Sequence, residues 1–408
     1  MQTSKNSKKI NLKISNFIPH LTFSISCICY AHNTTNNPKT MRKIIVKLCN
    51  IFCPIKYFCY NNDMKELTYY EKRDLKNMRK IGDYLQTLPE YCYDFFTGIE
   101  NNTSSLTRVN YAMDLKVFFE YLEQYVCKKP KDRITLEDLD SLQARNIENY
   151  LSYLSYYQNG DNMLKNTERG KARKLASVRS FFKYLFNHDM ISSNVASKIQ
   201  TPKLHSKEII RLEKDEVSRM LNAVQSPTSF SEHQRNYNKN TQIRDNAIVT
   251  LFLGTGIRIS ELVGLNVEDF DFSQDAFKVT RKGGNQAILY FSKEVTTALE
   301  AWLEKRKTLG LDENEHAMFV SLQNKRLCVR AVENLVKKFA KESTPLKKIS
   351  PHKLRSTFGT NLYRETKDIY IVADVLGHKD VNTTKKHYAA INEDMRKSVA
   401  NIIKINQD

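Results

Sequence analysis

The sequence predicts a mainly α-helical protein with a small β-sheet, arranged as an N-terminal helical domain followed by a C-terminal domain. Three observations carry that reading. Apolar residues recur at helical spacing through most of residues 66–200. Residues 198–211 show no apolar period and contain the helix breaker Pro202, so they read as a connection. Beyond it, strand-like pieces are confined to 269–272, 276–280 and 287–291, with Gly283 and Gly284 in a turn between the last two. The expected organisation is a leader over 1–63, a helical domain over 64–200, a linker over 201–211 and a second domain over 212–408.

The leader differs from the rest in composition. It holds nine basic residues against one acid, Asp63, and five of the eight cysteines: Cys27, Cys29, Cys49, Cys53 and Cys59. A basic start, an apolar middle and Ala31 make a poor secretory signal, because Pro19 and His20 interrupt the apolar part. Cys49, Cys53 and Cys59 lack the matching second half of a zinc site. The favoured reading is an over-extended start or a disordered basic tail ahead of Met64.

In the helical domain, Leu115, Phe118, Phe119 and Leu122 follow a helix start signal at Ser104–Ser105. Leu139, Leu142, Ile147, Leu151 and Leu154 continue the helical period. A third segment has Leu175, Val178, Phe182 and Leu185 on one side. Its other positions carry Lys165, Arg169, Lys171, Arg173, Lys174, Arg179 and Lys183, opposed only by Glu168. A solvated face is the usual meaning of such charge. Here the excess of bases favours a helix laid on DNA phosphates, with Arg169, Lys171, Arg173, Lys174 and Arg179 as contacts. In the second domain, polar residues 225–242 read as a surface loop.

Composition bounds the function. At roughly 100–200 residues per domain, 408 residues suggest two or three domains, and 41% apolar residues are enough for a real core. A net charge of +19 expects a polyanion, either nucleic acid or an anionic membrane surface. Apolar runs are too short for a spanning helix. The remaining cysteines, Cys92, Cys127 and Cys328, are scattered, which argues against a disulfide framework and for a reducing compartment, the cytoplasm.

Four clusters in the second domain could carry chemistry. Gly254-Thr-Gly-Ile-Arg-Ile-Ser-Glu-Leu puts Arg258 three residues before Glu261, after glycines that allow a sharp turn. Arg281-Lys-Gly-Gly places Lys282 at a hairpin tip. His352-Lys-Leu-Arg355 has the i, i+3 spacing that shares one helix face. Leu376-Gly-His378 precedes Tyr388 by ten residues. Each has a bland alternative when taken singly: a surface ion pair, a solvated lysine, a structural histidine, a core tyrosine. Zinc fits His352, His378 and His387 poorly, because no second ligand has the spacing.

Taken in order, Arg…Lys…His-x-x-Arg…Leu-Gly-His…Tyr resembles the tyrosine recombinases, the phage-type integrase and Xer-like family. The resemblance covers about residues 85–405. It implies a helical, SAM-like core-binding domain and a catalytic domain that close on double-stranded DNA as a clamp. It implies a covalent 3′-phosphotyrosine reaction without cofactor or metal, and assembly as a homo-tetramer, or a hetero-tetramer with a related recombinase, on two DNA sites. Arg258, Lys282, His352, Arg355, His378 and the nucleophile Tyr388 would be the catalytic set. A last helix near Met395 to Ile405 would dock on a neighbouring protomer or pack on its own subunit. Two departures stand out: Arg281 replaces the first glycine of a common Gly-Lys-Gly, and Ala390 stands where many members have histidine. Type IB topoisomerase-like relaxation and a catalytically idle DNA-binding protein are the alternatives.

Overall fold

A computed structural model of the chain describes residues 67–159, 161–204, 210–227, 230–281, 284–378 and 381. The chain divides after Lys72 into two units, and nearly all described residues belong to the second. The leader lies outside the described residues.

The helical block consists of α1 (Tyr69–Leu85), α2 (Tyr91–Gly98), α3 (Ser105–Tyr121), α4 (Leu136–Asp140), α5 (Ala144–Tyr153) and α6 (Glu168–Asn187). Ser104 caps α3 by accepting from the Thr107 backbone N–H, as the start signal predicts. Between α5 and α6 lies an antiparallel hairpin, β1 (Tyr157–Asn159) with β2 (Asn162–Leu164), which the apolar period alone did not predict. The period across 139–154 is also broken in two, because Thr135 and Gln143 each open a separate capped helix. The core is aromatic: Phe95, Phe118, Phe119, Tyr150, Phe181 and Phe182 are fully buried. Phe95 meets Phe181 edge-on at 5.3 Å, and Phe118 meets Tyr150 at 5.1 Å.

Among the described residues that core encloses a carboxylate and an ammonium, Asp114 and Lys174. Asp114 of α3 is fully buried and is reached from α6 by three side chains. Arg173 donates to both its oxygens, at 2.5 and 2.7 Å. Lys174 follows at 3.0 Å and the Ser177 hydroxyl at 2.7 Å. Two positive groups and a hydroxyl compensate a carboxylate that could not be buried alone. Asp114→Ala would strand the buried Lys174 ammonium, so we expect it to destabilise the protein by about 3–5 kcal/mol. Urea unfolding measures this; an unchanged midpoint would mean that the network holds nothing together.

The second block begins with α7 (Lys214–Gln225) and α8 (Glu232–Thr255). Residues 232–242 are therefore helix, not the surface loop that their polarity suggests. Ser231 and Gln234 form a capping box that starts α8 early. Asn238 and Thr241 are buried on its inner side. The separate short helix α9 (Ile259–Gly264) follows, after which β3 (Phe270–Asp271), β4 (Ala276–Thr280) and β5 (Gln286–Tyr290) form an antiparallel meander in the order β3-β4-β5. Phe277 pairs with Leu289 and both are buried, while Lys278 and its partner Ile288 face outward. Then come α10 (Lys293–Lys307), α11 (Val329–Ser343), α12 (Pro351–Thr366) and α13 (Ile369–Leu376). α8 is the central element, packing on both α10 and α12. That packing brings the end of α8, the start of α12 and the end of α13 to one place.

Candidate active site

Gly256 terminates α8 in the left-handed conformation, with φ +62°, and its N–H closes on the Phe252 carbonyl at 3.0 Å. A Cβ there would strike Phe358 of α12 and approach Leu376 of α13 to 3.0 Å. Glycine is thus required twice, by the backbone and by the packing. Its conformation turns the chain directly into Arg258, which caps α9. Glu261, almost wholly buried, accepts from the Arg258 backbone at 3.0 Å and from its Nη1 at 2.8 Å. Glu261 therefore orients Arg258.

Pro351 occupies the first position of α12, where its missing N–H costs nothing. His352 follows at the open end of the helix, and Arg355 lies one turn deeper, only 8% exposed. Arg355 donates from Nη1 to the Gly256 carbonyl at 2.6 Å and from Nη2 to the Leu376 carbonyl. Arg258 donates from Nη2 to the Gly377 carbonyl at 2.9 Å. Arg281, just past β4, donates from Nη2 to the Val375 carbonyl at 3.1 Å. Three consecutive carbonyls at the end of α13 thus each accept from a guanidinium. A helix C-terminus leaves such carbonyls without helical partners and carries partial negative charge, so cations bind it favourably. Gly377 caps α13 with φ +61°, and the N–H of His378 donates back to the Ala373 carbonyl at 2.9 Å. His378 is thereby held one residue beyond the guanidinium-bound end.

The electrostatics follow from this placement. Loss of hydration, then the positive charges of Arg355 and Arg258, hold the His352 imidazole below its ordinary pKa. Neutral imidazole is the form that can accept a proton.

Of the six residues singled out for catalysis, Arg258, His352, Arg355 and His378 lie among the described residues and gather at the ends of α8, α12 and α13. Lys282 and Tyr388 lie outside the described residues, as do His387, Ala390 and the segment 395–405. The motif did not show Arg281 to be part of this cluster; its only signal was the replacement of an expected glycine.

The basic face of α6 needs correction. Lys174 is buried at 4% exposure and is bound to Asp114, so it is removed from the phosphate-contact set. Its position in the turn beside Leu175 and Val178 points it into the core. Arg173 is partly exposed, yet its fork is bidentate on Asp114. Arg179 donates to the carbonyls of Ala196 and Ile199 and to the Thr201 hydroxyl, which fastens the chain leaving the helical block. Lys171 pairs with Glu168 at 3.1 Å. Arg169 is exposed. Among the described residues no group of histidines, cysteines and carboxylates is placed to hold a metal ion, and no helix is long and apolar enough to cross a membrane.

Two family models match the chain: the phage integrase family over residues 210–395, and the phage integrase N-terminal SAM-like domain over 94–188. A tyrosine recombinase XerC of Caldanaerobacter subterraneus subsp. tengcongensis is 32% identical over 366 residues, covering 86% of this chain and 95% of the relative. One from Leptospira interrogans is 28% identical over 326 residues, covering 78% of this chain and 96% of the relative. The fold is similar to a crystal structure of XerH site-specific recombinase bound to palindromic difH substrate, with a TM-score of 0.56 at 16% identity, covering 83% of this chain and 98% of that one. On these likenesses the chain belongs to the tyrosine recombinases of the phage integrase family and is a site-specific DNA recombinase.

Proposed function

We propose that the protein cuts and rejoins double-stranded DNA through a 3′-phosphotyrosine on Tyr388. The observation that supports this most is the row of guanidiniums fixed on the carbonyl end of α13, one residue before His378. Tyr388 Oη attacks the scissile phosphorus, and its proton passes to His352. A phenol of pKa about 10 needs such a base. The bond from phosphorus to the 5′ oxygen breaks, and Lys282 supplies the proton that the oxygen requires. Arg258 and Arg355 stabilise the charge that accumulates on the non-bridging oxygens, in fork planes already set by their carbonyl partners. His378 hydrogen-bonds the phosphate. The energy of the broken bond is kept in the protein–DNA link, so a second 5′-hydroxyl can reverse the reaction without ATP.

DNA is the polyanion that the net charge of +19 calls for. The XerH relative is bound to a difH substrate, and a relative with a TM-score of 0.50, a lambda integrase, to a COC′ core site. In this reading the helical and catalytic domains clamp the duplex, and Arg169 and Lys183 are exposed α6 side chains open to phosphate. Four protomers assemble on two sites, in the cytoplasm.

The test is Lys282→Ala on two DNA substrates. Cleavage of the ordinary phosphodiester should slow by roughly 10²–10⁴-fold. A substrate with sulfur at the 5′-bridging position needs no proton on its leaving group and should be cleaved at close to the unaltered rate. Equal loss on both would remove the general-acid role from Lys282.

A further inference from the structure

We propose that Arg281 is a positioning residue of this site: its guanidinium holds the carbonyl end of α13 and thereby places His378. The proposal rests on the recombinase reading above and assigns a role to a residue outside the six-residue motif.

The backbone of Arg281 is fixed on both sides. Its N–H donates to the Asn285 carbonyl at 2.7 Å, and its own carbonyl accepts from Gly284 at 3.1 Å. From this hydrogen-bonded position the side chain crosses to α13, where Nη2 donates to the Val375 carbonyl at 3.1 Å. The guanidinium lies so close to Gly377 that a Cβ at that position would collide with Nη1 and Cζ and come within 2.9 Å of Nε. Gly377 therefore serves two ends: it adopts the left-handed cap, and it leaves room for Arg281.

Nε of Arg281 is buried and finds no acceptor among the described residues. An unsatisfied buried donor is unfavourable. What the side chain brings to the helix end is its Nη2 donor and its charge.

What they do follows from α13 itself. It has only eight residues, so its last turn is half of the helix and has little cooperative support. Its final carbonyls are shared out one to each arginine: Val375 to Arg281, Leu376 to Arg355, Gly377 to Arg258. Arg258 and Arg355 must also meet the phosphate. Arg281 gives the same turn an anchor that comes from the sheet. Without it the turn loosens, and His378, whose N–H is bonded into that turn at Ala373, shifts with it. Displacements near 1 Å are enough to slow a reaction by about 10²-fold.

The experiment is a double-mutant cycle in the full chain, read as single-turnover cleavage of a nicked suicide DNA substrate at saturating protein. Arg281→Met, which keeps the stem without the donors, should slow cleavage roughly 10–100-fold. Its DNA dissociation constant should stay close to that of the unaltered protein. Arg281→Lys, which restores a charge and one donor, should recover part of the rate. The Arg281→Met loss should vanish in a His378→Ala background, because the residue acts through His378. A loss that multiplies in full onto His378→Ala would overturn the proposal, as would normal cleavage by Arg281→Met beside a slow His378→Ala. If His378→Ala itself cleaves at the unaltered rate, the reading of His378 falls and this proposal with it. Should Arg281→Met fail to fold, the smaller loss of Arg281→Lys must disappear in the same background.

Discussion

Arg355→Ala should reduce single-turnover DNA cleavage by at least about 10²–10³-fold, the effect of losing one oriented donor to a developing oxyanion. This is a lower bound, because Arg355 also holds the fold together. Arg355 is buried and its guanidinium bridges the Gly256 carbonyl at the end of α8 to the Leu376 carbonyl at the end of α13. Removing it takes away the proposed phosphate ligand and leaves two interior carbonyls without that donor, each at about 1–3 kcal/mol. The alanine variant should therefore also unfold at lower urea. Arg355→Lys separates the two effects. Lysine keeps the charge but cannot bridge two carbonyls and grip an oxygen in one plane. It should bind DNA with little change and still cleave slowly. Cleavage within a few-fold of the unaltered rate by a folded Arg355→Lys variant would contradict the assigned role.

The same residues show what the sequence could and could not tell. Arg258, His352, Arg355 and His378 were legible because their side-chain chemistry and chain order are written in the sequence, and the helical spacing of His352 and Arg355 is kept in α12. Their acceptors were not legible. Backbone carbonyls of Gly256, Val375, Leu376 and Gly377 have no side-chain signature, and they become a site only when α8, α12 and α13 pack. Arg281 was visible only as a departure from a pattern, since its partner lies 94 residues away.

Charge counting failed on α6 for a related reason. Lys174 and Arg173 look like members of a basic stripe until Asp114, about 60 residues earlier, is placed beneath them. Polarity failed on 232–242, where a helix starts from a capping box and buries Asn238 beside Lys338. The strands of the second block were legible from alternation and glycines. The short β1–β2 hairpin was signalled only by the turn-forming run Asn159-Gly-Asp-Asn162, which carries more information than the apolar period around it.

Tyr388→Phe should abolish the covalent protein–DNA adduct while leaving DNA binding in place. The substitution removes one oxygen and keeps the ring, so packing changes little. Affinity for DNA rests on lysines and arginines distributed over a chain with 64 of them, and one hydroxyl adds little to that. The proposed reaction, by contrast, has Tyr388 as its single nucleophile, and without that hydroxyl the phosphorus has nothing to receive. Two other tyrosines stand near in sequence. Tyr363 is buried in α12, packed with Val372 and Leu376, and its ring is part of that core. Tyr370 is exposed in the first turn of α13, at the opposite end of the helix from the carbonyls that hold the arginines. Neither follows His378, as the motif order requires of the attacking residue. His387 could attack phosphorus, but the phosphoramidate so formed would be lost in acid, whereas a phosphotyrosine survives. The measurement is denaturing electrophoresis after incubation with a suicide substrate nicked beside the exchange point, with and without an acid step. A persistent adduct in the Tyr388→Phe protein, mapped to any other residue, would overturn the assignment. Loss of the adduct together with loss of DNA binding would instead make Tyr388 a structural residue.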